Sequence, residues 1–393
     1  MRHPFSPDPR EIGLLQPHDF TELVNGLLFA EAGRAGIPPA DVSVTVRGDV
    51  ADGGIDARVL APDVAVSRWI NIGLNIYQFK KGKVVEGALR KEWQKLAVRE
   101  ALRQGACYVL VTGYDLNVKE RATLESCVCE LFDQEQLKLR FKIFNASQLC
   151  DWISELPALY STLGRPIGDL LSHAQWGKSG YGFDIILQAD PAQRDFRQSL
   201  TELVRLNGQS THIRVEGNVG SGKTRMVFEA LDCPGIAERV LYALGPDTLH
   251  GLEFFGYLRS REQTSVILVV DECNASDIGK VAAASTACPG LTLISIGSPL
   301  LAGTPGTERT VHMKAPPMGE QQLQGLVQAA APSLSRQATI FTAYQAGGNA
   351  ALAVRLARAL LSSGVDTMSA AVVAGSVAGQ FAALLLDPER LFD

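Results

Sequence analysis

The sequence predicts an α/β protein with two sheets, a mixed one followed by a parallel one, and a helical subdomain towards the C-terminus. Three observations predict it. Residues 213–229 read as a buried strand, a glycine-rich turn and an amphipathic helix, and residues 266–272 as an aliphatic run closing on Asp271 and Glu272. Residues 17–112 follow the order α-β-β-β-α-β, which suits a mixed sheet with helices on both faces. From residue 318 the apolar spacing turns helical.

Taken in order, a helix opens after Pro17 and puts Phe20, Leu23, Val24, Leu27 and Leu28 on one face. Strands are expected at 42–46, 55–60 and 74–79. A single long helix at 85–104 follows, then a strand at 107–112, a helix at 118–132 and a strand at 140–144. Residues 1–157 thus form a first domain. The stretch 158–190, rich in glycine, serine and aromatics, reads as a linker. The second domain, 191–316, has a leading helix at 191–205 and strands before the glycine turn and at 240–244, 266–270, 291–296 and 310–314. Residues 317–393 form the helical subdomain, with a break and restart at Gly347-Gly348.

A chain of 393 residues, 46% hydrophobic and 20% charged, builds two or three ordinary globular domains. Its net charge of −5 excludes a polycation that coats nucleic acid, so such contact must come from a local patch. Seven scattered cysteines form no CxxC pair and no zinc spacing, and suit a reducing cytoplasm, the expected location. The N-terminus lacks the apolar core of a signal peptide. Residues 370–386 are apolar, yet Ser376, Gln380 and the lack of a basic flank favour a packed helix over a membrane span. The last residues bring no capping element, and a longer native chain is expected.

The glycine turn carries the strongest chemistry. Gly217, Asn218, Val219, Gly220, Ser221, Gly222, Lys223 and Thr224 spell G-x-x-x-x-G-K-[ST] between a strand and a helix. Such a loop curls its N–H groups around an anion, and the helix N-terminus adds its dipole. Lys223 then meets the β- and γ-phosphates of ATP, Thr224 and Asp271 hold Mg²⁺, and Glu272 polarises the attacking water. Ser298, just past the strand at 291–296, or Ser295 within it, stands where a γ-phosphate sensor belongs.

A second set lies in the first domain. Asp56 begins a strand after a turn, and Gln78 and Lys80 share one face of the next strand while Phe79 faces the other way. Asp56 and Gln78 are candidate ligands for a catalytic Mg²⁺, with Lys80 to stabilise charge and Glu22 as a further carboxylate. Lys80, Lys81, Lys83, Arg90, Lys91, Lys95 and Arg99 gather nearby as a candidate stripe for DNA phosphates.

Phe20-Thr21-Glu22, Gly53-Gly54-Ile55-Asp56 and Gln78-Phe79-Lys80 resemble the Mrr-type branch of the PD-(D/E)xK restriction endonucleases, with Gln78 in place of the commoner acid. The resemblance covers about residues 15–155 and implies a restriction-endonuclease-like sheet that cuts double-stranded DNA. Residues 185–365 resemble the STAND class of P-loop NTPases, relatives of AAA+ proteins. There Gly217–Thr224 with Arg225 looks like the family's loop, and Gly347-Gly348-Asn349-Ala350-Ala351-Leu352 is similar to its G-G-x-P-L-A-L signature, with alanine for proline. Together these resemblances imply a bacterial anti-phage defence protein. ATP binding would permit homo-oligomerisation, a phage protein would be sensed by a missing C-terminal region, and the nuclease would be switched on. A restriction or repair enzyme with an AAA+ motor, and a non-catalytic DNA-binding regulator, are the alternatives.

Overall fold

The computed structural model describes residues 6–45, 53–65, 67–179, 189–206, 211–249, 253–286, 288–300 and 310–362. The chain opens with α1 (Pro9–Leu14) and α2 (Pro17–Arg34), followed by strands β1 (Val42–Val44), β2 (Ala57–Ala61) and β3 (Gly73–Lys80). Helices α3 (Glu86–Trp93) and α4 (Leu96–Arg103) lead to β4 (Cys107–Thr112), α5 (Val118–Gln134), β5 (Phe141–Phe144) and α6 (Ala146–Glu155). The first sheet has the order β1-β2-β3-β4-β5. β1, β2 and β3 pair antiparallel, and β3, β4 and β5 parallel. It is the expected mixed sheet.

Alternation along β3 divides its two faces. Tyr77 and Phe79 pack with Phe20, Leu23 and Val24 of α2, whereas Ile76 packs with Leu89 and Trp93 of α3 and Leu124 of α5. The helix expected at 85–104 is two helices. Lys95 between them is extended (φ −65°, ψ 133°), because Trp93 and Val98 must both be buried over the same sheet face. That break puts Lys91 and Arg99 of the candidate stripe on two different helices, with Lys95 between them.

The stretch read as a linker is partly built into the second sheet. After a 3₁₀ turn at Pro157–Leu163 come β6 (Leu171–Ser172) and α7 (His173–Gly177). Trp176 is buried and stacks on Tyr242 at 4.8 Å, and β6 pairs antiparallel with β8 (Val240–Ala243). An aromatic anchor therefore turns a composition typical of a connection into an edge of the sheet.

The second domain continues with α8 (Pro191–Leu206), β7 (Thr211–Glu216), α9 (Lys223–Leu231), α10 (Phe254–Arg259), β9 (Val266–Val270), α11 (Ala275–Thr286), β10 (Leu291–Gly297) and β11 (Thr310–Lys314). Its strand order is β11-β7-β10-β9-β8-β6, parallel except for β6. β10 thus lies between the strand that enters the glycine loop and the strand that ends in the acids. Helices α12 (Glu320–Ala330), α13 (Arg336–Ala346) and α14 (Ala350–Ser362) pack around Leu323, Val327, Leu356 and Leu360 as the helical subdomain. Residues 370–386 lie outside the described residues. Among those described, no helix is long and apolar enough to cross a membrane.

The two sheets share one apolar core. Leu28, Ala32, Leu156 and Tyr160 of the first half pack in the same cluster as Phe254, Tyr257, Leu268 and Leu293 of the second. Gly33 of α2 meets the Gly235 turn so closely that a Cβ on it would lie 2.2 Å from the Gly235 carbonyl oxygen. Arg34, held by two carboxylates of its own half, and two further groups make polar bonds across the same place. Arg34 pairs with Glu31 at 2.7 Å and Glu155 at 2.8 Å and donates to the Gln263 carbonyl at 2.9 Å. The Tyr257 hydroxyl donates to the Ser154 carbonyl at 2.9 Å, and the Ser265 N–H to the Glu155 carbonyl at 2.8 Å.

Candidate functional site

β7 runs straight into the glycine loop, and α9 begins at Lys223. Gly220 (φ 73°) and Gly222 (φ 86°) take left-handed conformations that let the loop curl back on itself. Lys223 Nζ donates to the Gly217 and Asn218 carbonyls at 3.0 and 2.7 Å, spanning the loop's mouth. The Ser221 hydroxyl is buried inside the loop with no hydrogen-bond partner. Thr224 Oγ1 donates to Asp271 Oδ2 at 2.9 Å, across the gap between the first turn of α9 and the end of β9.

Burial lowers the Lys223 ammonium pKa, with Asp271 opposing the shift. Burial raises the Asp271 carboxyl, against hydrogen bonds from the Glu272 N–H and the Thr224 hydroxyl. Glu272 is exposed and takes φ 47°, a conformation rare outside glycine, and its N–H donates to Asp271 Oδ1 at 2.9 Å. A hydroxyl touching a carboxylate that burial makes reluctant to ionise, beside an orphaned hydroxyl and a lysine parked on carbonyls, suits a polyphosphate and its Mg²⁺.

Two sequence candidates stand apart from this group. Arg225 turns back to Glu229 at 2.8 Å, and Arg197 of α8 pairs with the same carboxylate. Ser298 has an exposed side chain, and its carbonyl accepts from Arg214. The other candidate, Ser295, is fully buried, and its hydroxyl meets His212 Nε2 at 2.7 Å.

Arg214 was not singled out from sequence, yet it braces the site. It sits on β7 with no exposed surface and donates to the Cys273 and Ser298 carbonyls, each at 2.9 Å. The strand that feeds the loop is thereby tied to the segment just after Asp271-Glu272 and to the end of β10. His212, two residues earlier on the same face, bridges Ser295 and the Thr310 hydroxyl (3.0 Å), and burial, then Arg214 and His312, push its pKa down to about 4. The only sequence signal was an alternation of polar residues, His212-Arg214-Glu216, on a strand expected to be apolar.

The strand order, the loop and the acid-tipped strand define the domain. Its fold is that of a P-loop NTPase. No protein-family model matches the chain, and no curated protein matches it. Among solved structures, Thermotoga maritima RuvB, titled a Holliday junction branch migration motor, is similar at 16% identity and a TM-score of 0.34, covering 48% of this chain and 68% of that one. A structure of Drosophila ORC bound to DNA gives 16% and 0.35 over 53% and 66%, and C. elegans PCH-2 gives 10% and 0.35 over 54% and 74%.

In the first domain the structure brings together only part of the expected set. Asp56 precedes β2, and its Oδ2 accepts from the Phe79 N–H at 2.6 Å. Gln78 is buried, and its Oε1 accepts from the Tyr108 hydroxyl. Lys80 pairs at 2.8 Å with Glu92, which also takes Lys95 at 2.5 Å. Burial alone would raise the Glu92 carboxyl, but those two lysines hold it below its ordinary value. Glu22 is on α2, which packs on the opposite face of β3, and its exposed carboxylate meets His18 at 3.1 Å. The carboxylate beside Lys80 is therefore Glu92.

Gln78 already serves Tyr108 and one Asp56 oxygen serves a backbone N–H, so the pair is a poor fit to Mg²⁺ as it stands. Among the described residues no group of three or more His, Cys, Asp or Glu side chains is placed to hold a metal ion. The basic stripe is largely neutralised too. Lys80, Lys83, Arg90, Lys95 and Arg99 are each paired with a glutamate.

Proposed function

We propose that the chain is an ATP-binding and ATP-hydrolysing switch whose nucleotide state is passed to the N-terminal domain. The observation that carries this is the 2.9 Å contact of the Thr224 hydroxyl with Asp271, beside Lys223 and Glu272. Lys223 leaves the Gly217 and Asn218 carbonyls for the β- and γ-phosphates, and the loop amides take the β-phosphate. Thr224 and Asp271 would hold Mg²⁺, which neutralises charge on the phosphate oxygens. Glu272 orients water and accepts its proton, and Arg214 keeps the acidic strand end in register with the loop.

The N-terminal domain is the output, a DNA-acting unit with Asp56, Gln78 and Lys80 as the nuclease residues. The Mrr-like motifs support that part, and the STAND-like motifs support ATP-gated homo-oligomerisation, anti-phage defence and a phage protein as trigger. The buried Gln78–Tyr108 bond and the Lys80–Glu92 pair favour a second reading, in which the same domain binds DNA without cutting it.

Lys223→Ala tests the core of the proposal. It should abolish ATP binding in calorimetry, because no other cation opposes the phosphates within the loop. Undiminished binding by Lys223→Ala would mean that nucleotide, if bound, lies elsewhere.

A further inference from the structure

The helical subdomain touches the phosphate loop itself. Asn349 Nδ2 donates to the Val219 carbonyl at 2.8 Å, and the Ala351 N–H donates to the Gly220 carbonyl at 3.1 Å. The approach is close: a Cβ on Gly220 would lie 2.4 Å from Asn349 Oδ1. Asn349 also caps α14, its Oδ1 accepting from the Leu352 N–H at 2.9 Å. One side chain thus starts the last described helix and holds the tip of the loop.

The planar peptide bond gives these contacts a consequence. Within one peptide the C=O of residue i and the N–H of residue i+1 point in opposite directions. Fixing the Val219 and Gly220 carbonyls towards α14 turns the Gly220 and Ser221 amides away from it, into the loop. The Ser221 N–H indeed points across the loop to the Asn218 carbonyl at 3.2 Å. Inward-facing amides are what an anion-binding loop needs.

We propose that Asn349 is a positioning residue through which the helical subdomain presets the loop amides, so that docking of the subdomain and binding of a nucleoside triphosphate are linked. The proposal rests on the ATP reading above. Linkage is reciprocal: if docking raises nucleotide affinity, nucleotide holds the subdomain down by the same factor.

Asn349→Asp separates the two jobs of the residue. The carboxylate still accepts from Leu352 and caps the helix, but it has no N–H for Val219 and sets an oxygen against that carbonyl. Loss of one hydrogen bond corresponds to roughly a five- to tenfold loss of affinity. The experiment measures Mg-ATP affinity by calorimetry on the parent chain, Lys223→Ala, Asn349→Asp and Asn349→Ser, with hydrogen exchange of Ala350–Ser362 with and without ATP. Serine also caps and is too short to reach Val219, so it guards against a fault peculiar to the aspartate.

The expected result is that ATP slows exchange across α14 in the parent, and that both Asn349 variants bind about five- to tenfold more weakly and lose that protection at an unchanged melting temperature. Parent-like affinity and retained protection in both variants overturn the inference while leaving the ATP site intact. Failure of the parent itself to bind ATP overturns the ATP reading, and this inference with it.

Discussion

Arg214→Met offers the sharpest test of how the site is held. The substitution keeps an unbranched apolar stem on β7 and deletes a guanidinium that is fully buried. Two hydrogen bonds go, those to the Cys273 and Ser298 carbonyls at 2.9 Å each, and hydrogen bonds from charged donors contribute about 1.5–3 kcal/mol apiece. The gross loss is therefore roughly 3–6 kcal/mol. Against it stands the penalty of burying the guanidinium, the largest influence on its lowered pKa, and methionine does not incur it. A net destabilisation of about 2–4 kcal/mol remains, since two carbonyls are left without a donor. Because those carbonyls flank Asp271-Glu272 and the end of β10, ATP turnover should fall more than ATP affinity. Urea denaturation and steady-state hydrolysis measure both. A variant within 1 kcal/mol of the parent that hydrolyses ATP at the parent's rate refutes the bracing role assigned to Arg214.

Further outcomes concern His212 in the second sheet and the candidate residues of the first. His212 has a folded pKa of about 4, below its ordinary 6.5, so the unfolded chain binds protons more tightly between those values. Its contribution to stability is present above pH 6.5, is lost as pH falls towards 4, and amounts to about 3 kcal/mol over that window. His212→Gln should flatten stability against pH in urea titrations there, and an unchanged slope would show that the imidazole is not the responsible group. On the nuclease reading proposed above, Asp56→Ala and Lys80→Ala should each reduce cleavage of plasmid DNA by roughly a hundredfold or more. Gln78→Glu should be tolerated, because a carboxylate accepts the Tyr108 hydrogen bond as the amide does. Parent-like cutting by both alanine variants would leave the domain without the nuclease role.

Local chemistry was legible in the sequence wherever one short stretch supplied all of it. The run from Gly217 to Thr224 and the acids after Val270 could be placed on a strand and a helix because each motif is contiguous and its flanks are strongly apolar. β4 and β11 fall at the expected residues for the same reason. Relations between distant stretches were not legible. Glu92 rather than Glu22 meets Lys80, and Lys95 joins it from a turn that helical periodicity passed over. Trp176 made an edge of the sheet out of a segment whose glycines and serines suggested a linker. Arg214 and His212 looked like polar interruptions of a strand, because their partners come from β10, β11 and the segment after β9.

The core common to the two sheets bears on how the protein could be divided. A cut anywhere between residues 157 and 191 would strip Leu28, Ala32 and Leu156 of their cover on one side, and Phe254 and Tyr257 on the other. Each half would carry a raw apolar surface and lose the hydrogen bonds Arg34–Gln263, Tyr257–Ser154 and Ser265–Glu155. The N-terminal half is in this sense no interchangeable cassette, and a chimera that swapped it would need a matching α2 face. The two halves should melt together in a single calorimetric transition.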